Sequence, residues 1–177
     1  MPVTLDPKAA KAIQTKALPR YAALMQAPIG PLALVQRGDW LWELRLHGEL
    51  RADETPALTP LLQEAIAQLE AYFNGSRTDF NLPLAPLGTP FQTSVWEQLA
   101  HTVPYGQSVS YGELAKRCDR PAAARAVGMA NHQNPLPILI PCHRVIGANG
   151  YLIGYGGGLG IKKYLLNLER VPYKEEA

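Results

Sequence analysis

A period of two in one segment, set against helical spacing in those that follow it, constrains the fold more than any other feature of the chain. In residues 40–47, Trp40, Trp42, Leu44 and Leu46 fall on one face of an extended segment and Leu41, Glu43, Arg45 and His47 on the other, the period of two of a half-buried antiparallel strand. From Thr59 onward the apolar residues recur at helical spacing instead. Residues 81–90 hold Pro83, Pro86, Gly88 and Pro90, the composition of a connector between two halves. The expected architecture is therefore α/β in the α+β sense. A small N-terminal sheet-plus-helix domain spans 1–87, and a mainly helical C-terminal domain with a helix-turn-helix spans 88–177.

Within the first half, residues 1–20 are polar and contain Pro2, Pro7 and Pro19, which predicts a tail or extended arm. Strand-like runs follow at 21–27 and 32–36, and Gly38-Asp39 makes a turn into the alternating segment. Thr59 can cap a helix with Pro60 at its first position; Leu62, Ile66, Leu69 and Phe73 then keep helical spacing until Gly75. In the second half, Thr89-Pro90-Phe91-Gln92 is a capping box for a helix with Phe91, Val95 and Leu99 on its core face, ending near His101. A second box, Ser110-Tyr111-Gly112-Glu113, opens a helix to about Cys118. After a turn at Asp119-Arg120-Pro121, a third helix runs from Ala122 to about Asn131.

Two short helices across a tight turn fit a helix-turn-helix and an ordinary helical hairpin equally well. The third helix tips the balance, because Ala122, Ala123, Ala126, Gly128 and Ala130 carry so little bulk that a duplex backbone could approach, with Arg125 reaching beyond them. Small residues also suit tight packing inside a protein, so that account stays open. Charge points the same way: residues 1–87 hold eight basic and nine acidic side chains, residues 88–177 nine and six. Lys116, Arg117, Arg120, Arg125 and Arg144 form the kind of patch a phosphate backbone selects. The overall net charge of +2 says little by itself.

No apolar run approaches the roughly 20 residues that span a bilayer, and the N-terminal residues lack a secretory signal's apolar core. A cytoplasmic, intracellular protein is expected. In that reducing compartment Cys118 and Cys142 are expected as thiols, not as a disulfide. His47, His101, His132 and His143 show no zinc-ligand spacing, so no metal or other cofactor is expected.

Residues 134–145 carry the chemistry. Asn134-Pro135-Leu136-Pro137-Ile138-Leu139-Ile140-Pro141 reads as a short buried strand that Pro141 ends, so that Cys142 emerges at the rim of the core. A cysteine in apolar surroundings is inert unless a base or positive charge compensates; His143 and Arg144 follow directly. Adjacent strand residues point to opposite faces, so bringing Cys142 and His143 together requires the chain to turn at Pro141.

Pro141-Cys142-His143-Arg144-Val145, preceded by Asn134-Pro135 and followed by Gly154-Tyr155-Gly156-Gly157-Gly158-Leu159, closely resembles the O6-alkylguanine-DNA alkyltransferase family. The similarity runs from Tyr72-Phe73-Asn74-Gly75 through Gly88-Thr89-Pro90-Phe91-Gln92 and Ser110-Tyr111-Gly112-Glu113-Leu114-Ala115 to Glu169. The resemblance implies a DNA-repair protein that flips a damaged guanine out of the duplex and takes its alkyl group irreversibly onto Cys142, acting once. O4-alkylthymine is a second candidate substrate. By resemblance His143 acts through a water as base and Glu169 orients it. Tyr111 rotates the nucleotide and donates to the guanine oxygen, and Asn134 is the hinge between recognition helix and active-site strand. Pro137, Val145, Tyr155 and Gly156 bind the substrate, with backbone carbonyls near Cys142 and Val145 reading its exocyclic amine. Arg125 fills the vacated stack, while Ala123, Ala126 and Gly128 lie against the minor groove of double-stranded DNA without sequence preference. A monomer is expected, with self-contacts along DNA left open.

The chain departs from some relatives: it lacks first-domain cysteines for zinc, and it has Gly156 and Ile153 where others have serine and glycine. Two other functions compete. A damage-binding relative without an acceptor is opposed by Cys142 itself, and a transcription factor by the dearth of base-reading side chains over 122–130. Taken alone, Glu169 reads as a solvated charge ending a helix built on Ile161, Leu165 and Leu168.

Overall fold

The computed structural model describes residues 4–175, and the chain divides into two compact units, Met1–Leu87 and Gly88–Ala177. In the first unit the strands β2 (Arg20–Ala27), β3 (Gly30–Arg37) and β4 (Trp40–Leu46) form an antiparallel meander. Short strands extend it on both sides. β1 (Thr4–Leu5) and β4 each pair in parallel with β6 (Pro83–Leu84), and β5 (Thr55–Pro56) pairs in parallel with β2, giving the order β1-β6-β4-β3-β2-β5. Gly38, at φ 57°, supplies the left-handed conformation that the two-residue turn between β3 and β4 requires.

Helix α2 (Pro60–Phe73) begins as its sequence predicts, with the Thr59 side chain accepting from the Leu62 amide and proline in the first turn. It buries Leu62, Ala65, Leu69 and Tyr72 and packs on β2, β3 and β4. The alternation of β4 is broken, however. Val35 opposes Glu43 while Gln36 opposes Leu41, so Trp42 is an extra residue in the ladder. That bulge explains why Leu41, grouped by period with the polar face, is 1% exposed.

The expected tail over residues 1–20 is overturned for its described part. Residues 7–15 form α1 (Pro7–Thr15), whose Ala10 and Ile13 pack with Trp42 and Ala85. Pro7 starts this helix instead of breaking it, because Asp6 caps it by accepting from the Ala9 amide at 2.8 Å. The connector is likewise partly ordered into the sheet, with Leu82, Leu84 and Ala85 buried. Pro2, part of the same expectation, lies outside the described residues.

The second unit is a cluster of helices around a short parallel pair. Helices α3 (Pro90–Thr102), α4 (Tyr111–Arg117) and α5 (Ala124–His132) pack against one another. Thr89 and Gln92 make the full capping box, and Ser110 caps α4 by accepting from the Glu113 amide. The buried Trp96 indole donates to the Ala130 carbonyl at 3.0 Å, tying α3 to α5. Strand β7 (Val109–Ser110) pairs in parallel with β8 (Val145–Ile146), joining the start of α4 to the residues just after Cys142. Helix α6 (Leu159–Leu168) buries Ile161, Leu165 and Leu166 and closes the unit.

Two expectations need correction here. Helix α5 starts at Ala124, and Ala123 is its N-cap, with no side chain to satisfy the first amides. The buried strand over 134–140 is also absent. Prolines at 135, 137 and 141 remove the amides a ladder would use. The chain instead makes a turn with Ile138 at φ 74° and a bridge between Pro137 and Ile140.

Candidate active site

The acceptor segment ends that turn in a 3-10 helix, Cys142–Arg144, opened by the Arg144 amide donating to the Pro141 carbonyl at 3.0 Å. At three residues per turn, successive side chains diverge by about a third of a circle, unlike the opposed directions of a strand. Cys142, His143 and Arg144 thereby reach three different surroundings from one buried loop.

Cys142 is 5% exposed. The Asn134 amide donates both to its Sγ, at 3.1 Å, and to the Ile140 carbonyl, at 2.8 Å, while Asn134 Oδ1 accepts from the Leu136 amide. One side chain just past α5 thus fixes both the turn and the sulfur. Burial pushes the Cys142 thiol up; hydrogen bonds from Asn134 and Tyr155 and the charge of Lys162 pull the other way without overcoming it. The resting sulfur is therefore a protonated thiol at neutral pH.

His143 is wholly buried. Its Nε2 lies 2.8 Å from Glu169 Oε1, and since a carboxylate can only accept, Nε2 carries the proton and Nδ1 the lone pair. Nδ1 is buried without a hydrogen-bond partner among the described residues. Burial lowers the His143 pKa against the opposing pull of Glu169, which keeps the ring neutral and Nδ1 unprotonated.

Glu169, the C-cap of α6, is 1% exposed, not solvated. Arg144 donates to both of its oxygens, Nε at 2.7 Å and Nη2 at 3.0 Å, and reaches the Val103 carbonyl through Nη1 at 2.7 Å. Burial alone would raise the Glu169 pKa; His143 and Arg144 outweigh it and hold it at about 2. Arg144 is thereby removed from the basic surface patch expected of it. Glu113 further moderates that patch, pairing with Lys116 at 3.7 Å and Arg117 at 3.9 Å.

Lys162 is a site residue that the sequence reading missed. Its Nζ is buried and donates to the carbonyls of Val145 and Ile153, each at 2.7 Å. Burial lowers its pKa to about 8. The signal was present: Lys162 stands three and four residues before Leu165 and Leu166, on the stripe that α6 buries.

A cleft of about 730 Å³ opens above the sulfur. It gathers Cys142, Tyr111, Arg125, Gly128, Tyr155 and Gly156 from the expected site, and adds Met129, Asn131 and His132 from the last turns of α5. The Tyr111 hydroxyl is 3.5 Å from the Ile153 carbonyl, and burial followed by the nearby Cys142 pushes its pKa up to about 12, so it remains a proton donor. Gly128 leaves the approach to Tyr111 open, since a Cβ there would touch the tyrosine ring at 3.7 Å. Val145 and Pro137 are buried and do not line the cleft; Ala126 is exposed on α5, also away from its lining. No group of three or more His, Cys, Asp or Glu side chains placed to hold a metal occurs among the described residues.

Sequence and structure comparisons place the chain among known proteins. Residues 20–86 match the family model described as 6-O-methylguanine DNA methyltransferase, ribonuclease-like domain, and residues 90–171 the one described as its DNA binding domain. The chain is 48% identical over 149 residues to the methylated-DNA–protein-cysteine methyltransferase of Mycobacterium leprae, covering 82% of this chain and 90% of that protein. It is 46% identical to the Methanosarcina acetivorans protein of the same name, covering 84% and 97%. A crystal structure of Mycobacterium tuberculosis OGT in complex with DNA superposes with a TM-score of 0.78 at 46% identity, covering 85% of this chain and 93% of that one. Two family models that together take in most of the chain, a relative nearly half identical along nine-tenths of its length, and a thiol held at a cleft beside a helix-turn-helix lead to one conclusion: the chain belongs to the 6-O-methylguanine DNA methyltransferase family.

Proposed function

We propose that this protein repairs DNA by moving the alkyl group of O6-alkylguanine in a duplex onto Cys142, once per molecule. The observation that carries the reading is the position of the Cys142 sulfur at a cleft whose wall is α5, the second helix of the helix-turn-helix. Residues 88–177 act as the DNA-binding and acceptor domain. The lesion enters from the minor groove of double-stranded DNA without regard to sequence, with α5 against the backbone. Ala123, Ala126 and Gly128 permit close approach and the exposed Arg125 takes the place of the extruded base. The protein works as an intracellular monomer, without a cofactor.

In the transfer, sulfur attacks the alkyl carbon in line; a carbon–sulfur bond forms as the carbon–oxygen bond to guanine breaks. The thiol proton passes through a water to His143 Nδ1, and Glu169 stabilises the imidazolium that results. The electron pair left on the guanine is neutralised by a proton from Tyr111. Lys162, bonded to the Val145 and Ile153 carbonyls, holds the acceptor loop and the loop carrying Tyr155 in register and favours the developing thiolate. Tyr155 and Gly156 bound the base at the cleft, Asn134 fixes the sulfur, and Pro137 and Val145 support the pocket from within. The thioether has no leaving group within reach, so each molecule is spent after one transfer.

Incubation with a duplex containing O6-methylguanine, followed by intact mass measurement, tests the proposal. Wild type should gain one methylene unit, mapped to Cys142, and Cys142→Ser none. An unmodified wild type with the lesion intact would refute it.

A further inference from the structure

The loop that forms one wall of the cleft has little of its own to hold it in place. Ile153, Gly154, Tyr155 and Gly156 line the cleft with Cys142, and Tyr155 hydrogen-bonds the sulfur. Among the described residues, the amides of Ile153, Gly154, Gly156 and Gly157 donate to no other backbone group. Glycine fills positions 154 and 156–158, which widens the range of conformations open to the backbone. Such a loop keeps one direction only if its ends are fixed from outside.

Downstream it runs into the start of α6; upstream it is fixed by the segment that follows α6. After Glu169, Arg170 takes a left-handed conformation at φ 57° and the Val171 amide donates to the Leu166 carbonyl at 2.9 Å, which ends the helix and redirects the chain. Lys174 then pairs in parallel with Tyr151. Its amide donates to the Gly150 carbonyl at 2.9 Å, and its carbonyl accepts from the Leu152 amide at 3.1 Å. Leu152 and Tyr173 pack on the buried Ile146, Leu166 and Val171, and Glu175 ties the segment to Lys163 of α6 at 2.6 Å. Ile153 follows directly on this pairing, and its carbonyl accepts from Lys162 Nζ at 2.7 Å.

We propose that residues 171–174 are a strap that positions the loop 153–156 against the extruded base, with Lys174 a positioning residue acting through its backbone, an inference that rests on the alkyltransferase reading above. The strap begins two residues after Glu169, so the partner of His143 and the wall that receives the base are set on one frame. A loop ordered before the base arrives spares the complex the cost of ordering it on binding.

The test compares the full chain of wild type with three variants. Lys174→Pro removes the amide that Gly150 accepts, Lys174→Ala keeps it, and Tyr173→Ala loosens the apolar anchor. Each is assayed for single-turnover transfer from an O6-methylguanine duplex, for alkylation of Cys142 by iodoacetamide, and for amide hydrogen exchange. Lys174→Pro should transfer about tenfold more slowly, while iodoacetamide, which needs no base-binding wall, reacts at least as fast as with wild type. Exchange should quicken over residues 150–157 and stay as in wild type over α3, α4 and α5. Tyr173→Ala should show the same pattern to a smaller degree, and Lys174→Ala should match wild type. Unchanged transfer in Lys174→Pro and Tyr173→Ala, unchanged loop exchange, slower iodoacetamide labelling, exchange quickened throughout the unit, or an equal loss in Lys174→Ala would each overturn the strap. Wild type that leaves the lesion unrepaired, with loop exchange still quickened in Lys174→Pro, would instead remove the underlying alkyltransferase reading.

Discussion

Glu169 does the work of two residues. Its Oε1 accepts a hydrogen bond from His143 Nε2 and its two oxygens together hold the Arg144 guanidinium, all within 3.0 Å and all buried. Catalytic orientation and structural charge balance therefore meet in one carboxylate, and a variant should show both losses at once. In Glu169→Gln the amide keeps an acceptor for one neighbour but leaves Arg144 as a buried cation without its counter-charge. That defect costs about 3–5 kcal/mol. Calorimetry should show a large drop in melting temperature, and transfer should slow because the imidazole loses its anionic partner. A variant as stable as wild type would mean that Arg144 finds compensation elsewhere.

Element by element, helix starts were the most legible part of the sequence. Thr59-Pro60, Thr89-Pro90 with Gln92, and Ser110 with Glu113 all cap as their residue types require. Asp6-Pro7 is the same signal, and it was obscured because neighbouring prolines suggested a tail. The turn over 134–141 was illegible for a different reason. Apolar periodicity cannot separate a buried strand from a buried turn, and only the three missing proline amides argued against a ladder. Within the site, Cys142 and His143 were readable from the residues around Pro141, and Tyr111 only through the family resemblance. Lys162 showed no more than its place on the apolar stripe of α6, and Asn131 nothing, since each looks like an ordinary polar helix residue until tertiary packing removes its water. Helix α5 offers a test at this scale. Gly128 costs about 1 kcal/mol relative to alanine within a helix, and a Cβ there meets the Tyr111 ring at an ordinary contact distance. Gly128→Ala should therefore raise thermal stability by roughly that amount while weakening duplex binding, because the added methyl stands in the cleft wall. Increased stability with unchanged affinity would show that the duplex does not approach α5 at this turn.

Across the whole molecule the two units solve a shared problem in the same way, each burying a carboxylate against a two-pronged arginine. In the first unit Arg45 Nη1 and Nη2 each lie 2.8 Å from an oxygen of Glu54, and the Arg51 amide donates to Glu54 at 2.9 Å. In the second, Arg144 holds Glu169. Burial opposes ionisation of both glutamates, yet His143 and Arg144 outweigh it at Glu169, and Arg45 and Arg51 at Glu54, so that both pKa values lie below the ordinary 4.5, that of Glu169 at about 2. A carboxylate with a depressed folded-state pKa contributes stability that is complete above its unfolded value and vanishes as pH falls through the folded one. The shift of Glu169 corresponds to about 3 kcal/mol, present at neutrality and lost between roughly pH 4.5 and 2. Urea denaturation across that range should show the midpoint falling steadily with acidity. In Glu169→Gln the pH dependence should flatten, leaving the smaller contribution of Glu54. Because each unit depends on its own pair, Glu54→Gln should remove a different part of the same acid sensitivity, and the two effects should add. A wild-type midpoint that stays constant from pH 5 to 3 would mean that neither carboxylate is held ionised by its partners.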